Sequence, residues 1–319
     1  MTPLEREYRA TATRIGCALL VFSALSLIRG AVLAFLPLFC GELSAVGAEI
    51  TEQLVGGLLY ALVFVLPLPF FRMISHGYVC RTPRYALELS GDGLRCAIFG
   101  VAVTMTLAFV NAQLVNVFDY GAFSKEYLWQ TEASENYQLL LLFLTMAVIP
   151  AFVEELLFRG LILENLLPYG KTVAILGSAL LFGMMHRNAE QLLYATGAGI
   201  VFGWIYVRTR SIWPCVLAHF INNFYSVVQI ALVERLSALR AQLLLYVLEG
   251  MLLVLGILCA VRLFREENVR QERALSSTEQ EIQQLPLCRR ARLFFSVPMT
   301  LFLLWCVANM LTLIIMAML

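Results

Sequence analysis

The stretch LLLLFLTMAVIPAFVEELLFRGLIL, residues 139–163, decides the fold. It is long enough to cross the hydrocarbon core of a bilayer, for which a helix needs about 20 mostly apolar residues. Three ionisable side chains, Glu154, Glu155 and Arg159, interrupt its second half. Because charges inside a span are costly, this stretch predicts a membrane helix that carries a functional site.

The composition of the whole chain agrees with a membrane protein. Of its 319 residues, 60% are hydrophobic and 14% are charged, against about 45–50% and about 25% in soluble domains. The mean hydropathy is +0.79, and these values exclude a soluble enzyme. A net charge of +1 provides no field for nucleic acid. The expected partner of most of the chain is therefore the lipid bilayer.

Apolar runs bounded by charges, Pro or Gly divide the chain into candidate spans. We predict an all-α, polytopic membrane bundle of about eight or nine transmembrane helices. The fifth and sixth candidates are short, with only Arg187 and Asn188 between them, so they form a tight hairpin or are partly re-entrant. The nine candidates lie at roughly 15–40, 53–71, 94–118, 137–164, 172–186, 190–207, 212–231, 242–261 and 293–318.

The basic residues predict the orientation and the location. Most loop Lys and Arg lie on the cytoplasmic side if the N-terminus is inside, as the positive-inside rule requires. The first span contains Arg29 and ends near Pro37 and Cys40, so we expect an uncleaved span rather than a signal peptide. The protein is thus predicted to be an integral, multi-pass protein of a bacterial-type cytoplasmic membrane.

Three segments follow from this reading. Residues 1–136 hold the first three spans, residues 137–231 a catalytic helical core, and residues 232–319 the last spans. The last segment includes a charged cytoplasmic connector at 262–292, which we interpret as a solvated helix at the membrane surface. The eight cysteines form no CxxC pair, and we expect free thiols that pack as small hydrophobic groups.

The ionisable inventory excludes several ways of cutting a peptide bond inside a membrane. Both Asp residues, Asp92 and Asp119, fall in predicted loops, which argues against an aspartyl dyad. No HExxH string is present for a zinc protease. Ser178 and Ser226 lie near the charged span, but neither belongs to a nucleophile-elbow motif.

The remaining candidates for catalysis are ionisable and polar side chains on three consecutive apolar stretches. Glu155 and Arg159 are i,i+4 neighbours and predict an internal ion pair, which leaves Glu154 as a separate carboxylate. The alternative for these charges is snorkelling from the end of the span. A carboxylate in a cavity of low dielectric constant binds a proton more readily than in water, as a general base for water activation requires.

Two histidines complete the set. Phe182 and His186 lie one helical turn apart, as do His219 and Asn223, while Asn222 points about 100° away. Each of these alone is also typical of a hydrogen-bonded core residue or a polar contact between helices. Together they provide what hydrolysis of an amide by water needs, namely a base for the water and donors for the oxyanion.

These motifs resemble the CPBP family of CAAX proteases and bacteriocin-processing enzymes, also called the Abi family. Over roughly residues 140–228, EExxxR is matched by Glu154, Glu155 and Arg159, FxxxH by Phe182 and His186, and HxxxN by His219 and Asn223. The lead-in to the third motif is also similar, although Arg210 stands where the family commonly has Gly.

The resemblance implies an intramembrane endopeptidase. By position, Glu154 and His186 would activate water, His219 and Asn223 would stabilise the oxyanion, and Glu155, Arg159 and Phe182 would support them. Whether a metal takes part stays open: Glu154, His186 and His219 could form a zinc site, but their spacing does not require one, and a metal-independent mechanism is preferred. Alternatives are a non-proteolytic immunity or adaptor protein on this scaffold and, third, a transporter.

One geometric conflict follows from the predicted spans. At about 1.5 Å rise per residue, straight helices would separate Glu154 and His186 by about 15 Å in depth. Either the span boundaries are wrong, or these helices are tilted, broken or re-entrant, with Pro150 as one source of a kink. The depth of His219 and Asn223 predicts a cavity that opens to the cytoplasm.

Overall fold

The computed structural model describes residues 1–41, 43–78, 80–82, 90–118, 135–267 and 285–318. These residues are almost entirely helical, and no strand occurs among them. The predicted all-α membrane bundle is thereby confirmed. The helices are α1 (Pro3–Phe39), α2 (Ala45–Val65), α3 (Pro67–Ile74), α4 (Gly91–Phe118), α5 (Asn136–Tyr169), α6 (Lys171–Met185), α7 (Ala189–Thr209), α8 (Trp213–Arg235), α9 (Ala238–Glu267), α10 (Leu287–Phe294) and α11 (Val297–Met318).

All nine predicted spans are helical, but two of the helices do not meet the length and hydropathy expected of a membrane crossing. In the described part of the chain, seven helical stretches are long and apolar enough to span a membrane, with α2 and α3 acting as one of them. The two that are not among the seven are α6 and α7. Helix α6 has 15 residues, which is about 22 Å and short of a ~30 Å core. The number of crossings and the cytoplasmic N-terminus stay predictions.

Side chains and backbone breaks explain where several helices begin. The Thr2 side chain accepts from the Glu5 N–H while the Glu5 side chain accepts from the Thr2 N–H, so a capping box starts α1. Pro67 follows directly on α2 and bends the span into α3. Gly170, with φ of 116°, makes the turn from α5 into α6.

Arg210 ends α7 in the left-handed conformation, with φ of 54°. Glycine adopts this conformation without steric cost, which explains why the related motif commonly has Gly at this place. Here the Arg210 side chain forms an ion pair with Glu164 (3.0 Å). The contact ties the α7–α8 turn to the end of α5 and offsets part of the backbone cost.

Helix α5 lies at the centre of the bundle. It packs against α2, α6, α7 and α8, while α1 packs against α2, α3 and α11, and α9 lies along α4. One buried core connects these layers and includes Phe22, Phe158, Phe202 and Phe302. Much of α9 presents apolar side chains outward, as a helix in contact with lipid does.

The α6–α7 contact depends on small residues. A Cβ added to Gly199 would lie 2.8 Å from the Cα of Ala179, so only glycine permits this approach. Ala195, Gly199 and Gly203 follow one another at intervals of four residues on α7, a pattern that permits close helix packing. The close approach brings the backbone of α7 within reach of side chains on α5.

Helix α5 is longer than predicted, and its shape is irregular. Its end was predicted at residue 164 and lies at Tyr169, because Glu164 does not mark the membrane edge. Glu164 is buried and accepts a hydrogen bond from Tyr206 (2.8 Å). The helix also widens into π-helical turns at Phe143–Val148 and Leu156–Leu163.

Some predictions fall on residues outside the described ranges. This applies to most of the acidic segment 119–136 and to the middle of the connector 262–292. At the two ends of that connector, α9 extends to Glu267 and α10 begins at Leu287. The eight cysteines are free, as expected.

Candidate active site

The predicted depth conflict disappears in the structure because α5 and α6 form a hairpin about Gly170. Glu154 precedes this residue by 16 positions and His186 follows it by 16. The two arms run in opposite directions from one turn, so both groups stand roughly 24 Å from it. The predicted inner end of the fourth span was therefore wrong, and the π-helical turns add further irregularity.

Glu155 and Arg159 form the predicted ion pair, and both are fully buried. Arg159 Nη1 lies 2.8 Å from Glu155 Oε1, and Arg159 Nη2 donates to the carbonyl of Gly199 (3.2 Å). The guanidinium also lies over the rings of Phe182 (4.7 Å) and Phe202 (5.2 Å). These contacts fix Arg159 between α5, α6 and α7 and exclude the alternative of snorkelling charges.

The same oxygen of Glu155 also holds His219. The Nδ1 of His219 lies 2.8 Å from Glu155 Oε1, and the carboxylate accepts, so Nδ1 carries the hydrogen. Phe202 stacks on the imidazole at 5.3 Å with an interplanar angle of 23°. The buried His219 ring is therefore fixed in place with Nε2 facing away from Glu155.

Glu154 is separate from this pair, as predicted, and is held by another helix. Tyr60 on α2 donates to Glu154 Oε1 at 2.5 Å. The second oxygen, Oε2, is buried and has no hydrogen-bond partner among the described residues. One carboxylate oxygen of Glu154 is thus anchored, and the other is available to a reactant.

His186 ends α6 and bonds to its own helix. Its Nδ1 donates to the carbonyl of Phe182 (2.8 Å), which leaves Nε2 as the acceptor of a neutral ring. Phe182 contacts the rings of both His186 (5.1 Å) and His219 (5.8 Å) edge to face. The Phe182 ring thus brings His186 and His219 into one cluster.

Asn223 differs from the other predicted residues. Its Nδ2 donates to the carbonyl of Met146 at 3.0 Å. In a regular helix this carbonyl would accept from residue 150, but Pro150 has no N–H. Asn223 therefore compensates for Pro150, and its second amide hydrogen remains for a possible ligand.

The possible zinc site does not assemble from these residues. Across the described residues, no group of three His, Cys, Asp or Glu side chains has an arrangement that could hold a metal ion. The Nδ1 atoms of His186 and His219 are bonded to Phe182 and Glu155, which leaves the two Nε2 atoms for other partners.

Sequence reasoning missed the groups that reach this site from outside the motifs. Tyr60 is one, and Arg29 and Arg187 act electrostatically on it. Arg29 lies over the Tyr60 ring (5.5 Å), and Arg187 lies over Trp305 (5.0 Å). A single Tyr in an apolar span has no spacing signal, but Arg29, a charge within a span, could have indicated a polar contact there.

Comparisons with known proteins find similarity in the central part of the chain. A family model described as type II CAAX prenyl endopeptidase Rce1-like matches residues 136–225. Residues 136–225 are therefore similar to the CPBP family over a little more than a quarter of the chain. A Bacillus subtilis (strain 168) protein named "Putative membrane peptidase YdiL" is 33% identical over 91 residues, which cover 28% of this chain and 36% of that protein.

The CPBP match has a limited extent. The chain spans about a third of the length of the curated relative that it matches. No solved structure gives a significant match. Tyr60 and Arg29 both lie outside the matched CPBP segment, so the contacts of α1 and α2 with the site are features of this chain that the family match does not cover. The division into three segments stays a prediction.

Proposed function

We propose that the protein is an intramembrane endopeptidase that hydrolyses a peptide bond with a water molecule activated by Glu154 and His186. One observation supports this most strongly: His186 and His219 flank the same Phe182 ring, each with Nδ1 fixed and Nε2 directed elsewhere. Such fixed orientation is what general acid–base groups need. The substrate is a peptide or a membrane protein.

The first step is the attack of water on the scissile carbonyl. Water donates one hydrogen to Glu154 Oε2 and the other to His186 Nε2, so its lone pair is directed at the carbonyl carbon. As the C–O bond forms, Glu154 takes a proton and the carbonyl oxygen becomes an oxyanion. A positioned base of this kind contributes about 10²- to 10⁴-fold to the rate.

The oxyanion is stabilised by His219 and Asn223. His219 can donate from Nε2 only when its ring is protonated, because Nδ1–H is already bonded to Glu155. The buried Glu155 carboxylate, neutralised in part by Arg159, supports that cation. Asn223 contributes its second amide hydrogen. When the C–N bond breaks, Glu154 returns its proton to the leaving amine, and a carboxylic acid and an amine are released.

The decisive variant is Glu154→Gln, which preserves the shape of the side chain but removes the base. We expect cleavage to fall at least about 100-fold. The measurement compares the new protein termini found in membranes of cells that express the wild-type protein with those found in membranes of cells that express the variant. The matched control is Glu249→Gln. Glu249 also accepts from a tyrosine, Tyr225 (2.6 Å), but lies on α9, away from the site.

The outcome also separates the two leading functions. An immunity or adaptor protein would retain its biological activity in the Glu154→Gln variant, and undiminished activity would refute the peptidase proposal. The complete set of Glu154, His186, His219 and Asn223 favours catalysis, since binding alone requires none of these chemistries.

Metal independence is a separate prediction. Purified active protein should retain cleavage after treatment with a chelator, because no group of three ligand side chains among the described residues could hold an ion. Elemental analysis of the same sample is the measurement. One stoichiometric zinc ion, whose removal abolishes cleavage and whose return restores it, would contradict the prediction.

A further inference from the structure

A cleft far from the candidate active site lies at the N-terminal end of α1. It has a volume of about 540 Å³ and is lined by one face of α1 together with Ile74 and Tyr78. Arg6, Arg9 and Arg14 contribute to its wall. No acidic side chain is among the described residues that line it. The cleft is therefore strongly basic.

Arg14 is the unusual member of this group. It is 8% exposed, although arginine is almost never buried without a partner. Its Nε donates to the carbonyl of Ala10 (3.1 Å), its Nη2 donates to Thr11 Oγ1 (3.0 Å), and its guanidinium lies 4.2 Å over the Tyr78 ring. The remaining nitrogen, Nη1, is buried without a hydrogen-bond partner among the described residues.

The nearest well-placed acid is already bound elsewhere. Glu5 accepts from Arg289 Nε (2.5 Å) and Nη2 (3.0 Å), so its carboxylate is held by α10. The same carboxylate lies 3.9 Å from the α-amino group of Met1. Glu5 is thus engaged by Arg289 and by the Met1 amino group rather than by the three cleft arginines, which retain their positive charge for another anion.

The position of the cleft indicates which anion fits. The apolar part of α1 begins just after Arg14, so the cleft lies where headgroups meet the hydrocarbon core. Planar guanidinium groups match phosphate oxygens in two-point contacts. The positive-inside rule accounts for arginine in this flank, but not for the burial of Arg14 against Tyr78.

We propose that this cleft is a phosphate-binding site, occupied by the headgroup of an anionic membrane phospholipid. Arg14 Nη1 and the exposed Arg6 and Arg9 side chains would hold the phosphate oxygens. Because α1 also packs against α2, which carries Tyr60, a lipid in this cleft would hold the end of α1 in place. Free phosphate has the same chemistry and is the second source to be tested.

The experiment uses the full-length protein in detergent. Native mass spectrometry measures bound phosphatidylglycerol and phosphatidylcholine, and a parallel assay measures bound inorganic phosphate. We expect retention of phosphatidylglycerol, and binding about 25-fold weaker in the Arg6→Gln/Arg9→Gln double variant, since each interfacial arginine contributes about fivefold. Both residues are exposed, so this variant should fold normally.

Two further variants complete the test. Arg14→Lys retains the charge but loses the fixed Nη1 donor and should weaken binding as well. Arg240→Gln removes an exposed arginine at the start of α9 and should change nothing. If only inorganic phosphate binding responds to the cleft variants, the source is free phosphate. If neither ligand responds, or if Arg240→Gln weakens binding equally, the proposal is wrong.

Discussion

Tyr60 shows how a single side chain outside the sequence motifs can position a reactive group. Its hydroxyl donates to Glu154 Oε1 at 2.5 Å. This contact fixes the rotation of the carboxylate and thereby the direction of Oε2. In the proposed mechanism Tyr60 touches neither water nor substrate, so it is a positioning residue.

We expect Tyr60→Phe to lower kcat by about 10- to 100-fold with little change in KM. A hydrogen bond to a charged group contributes about 1.5–3 kcal/mol, and each 1.4 kcal/mol is a tenfold rate factor. Steady-state kinetics with a peptide substrate provides the measurement. Tyr225→Phe is the control, because Tyr225 makes the same type of bond to Glu249. An equal loss in both variants would indicate a general packing effect.

At the scale of one element, α5 combines a proline, a π-helical turn and a contact from α8. Pro150 leaves the Met146 carbonyl without its usual backbone donor, and Asn223 replaces that donor. Asn223 thus has a structural role in addition to its proposed catalytic one. The two roles can be separated by restoring the missing N–H.

The test is a double-mutant cycle with Pro150→Ala and Asn223→Ala. In the wild-type background, Asn223→Ala should lower the free energy of unfolding by about 0.5–1.5 kcal/mol, because the Met146 carbonyl loses the donor of an exposed hydrogen bond. In the Pro150→Ala background the cost should be smaller, since residue 150 can then donate. Unfolding in detergent gives the free energies. Equal costs in both backgrounds would show that the two residues are not coupled.

Much of the site could be predicted from sequence because the spacing of its motifs is helical. Glu155 with Arg159, and Phe182 with His186, lie one turn apart, and each pair forms a contact in the structure. The contacts of Tyr60 and of Asn223 could not be predicted in this way. These contacts depend on how separate helices pack against each other. The spacing of residues along one helix carries no information about that packing.

At the scale of the whole molecule, the apolar runs predicted where helices form, but the charges predicted their ends less well. Glu164 is a charged residue at the predicted boundary of the fourth span, yet it is buried and bonded to Tyr206 and Arg210. A charge marks the membrane edge only when it has no partner inside the protein. This contact explains why α5 extends to Tyr169.

The predicted cytoplasmic N-terminus can be tested with a cysteine that is already present. Cys288 is exposed and adjoins Arg289, which binds Glu5 near the N-terminus, so both ends of this contact lie on one side of the membrane. In intact cells, a membrane-impermeant maleimide should not label Cys288, whereas a permeant one should. Peptide mass spectrometry identifies the labelled site.

The control for this experiment is Ser237→Cys, at an exposed position between α8 and α9 on the predicted outer side. It should react with the impermeant reagent. If the impermeant reagent labels Cys288 and does not label the cysteine at position 237, the N-terminus lies on the outer side of the membrane. The predicted direction of the active-site opening would then reverse as well.

The equal spacing of Glu154 and His186 about Gly170 restricts how the length of this hairpin can change. A single residue inserted between Glu154 and Gly170 would rotate Glu154 by about 100° and move it about 1.5 Å relative to His186. A second residue inserted in the other arm would restore the height but not the facing direction of either side chain. We therefore expect insertions between residues 154 and 186 to disturb the relative position of Glu154 and His186, whereas insertions in connections outside this hairpin would leave that position unchanged.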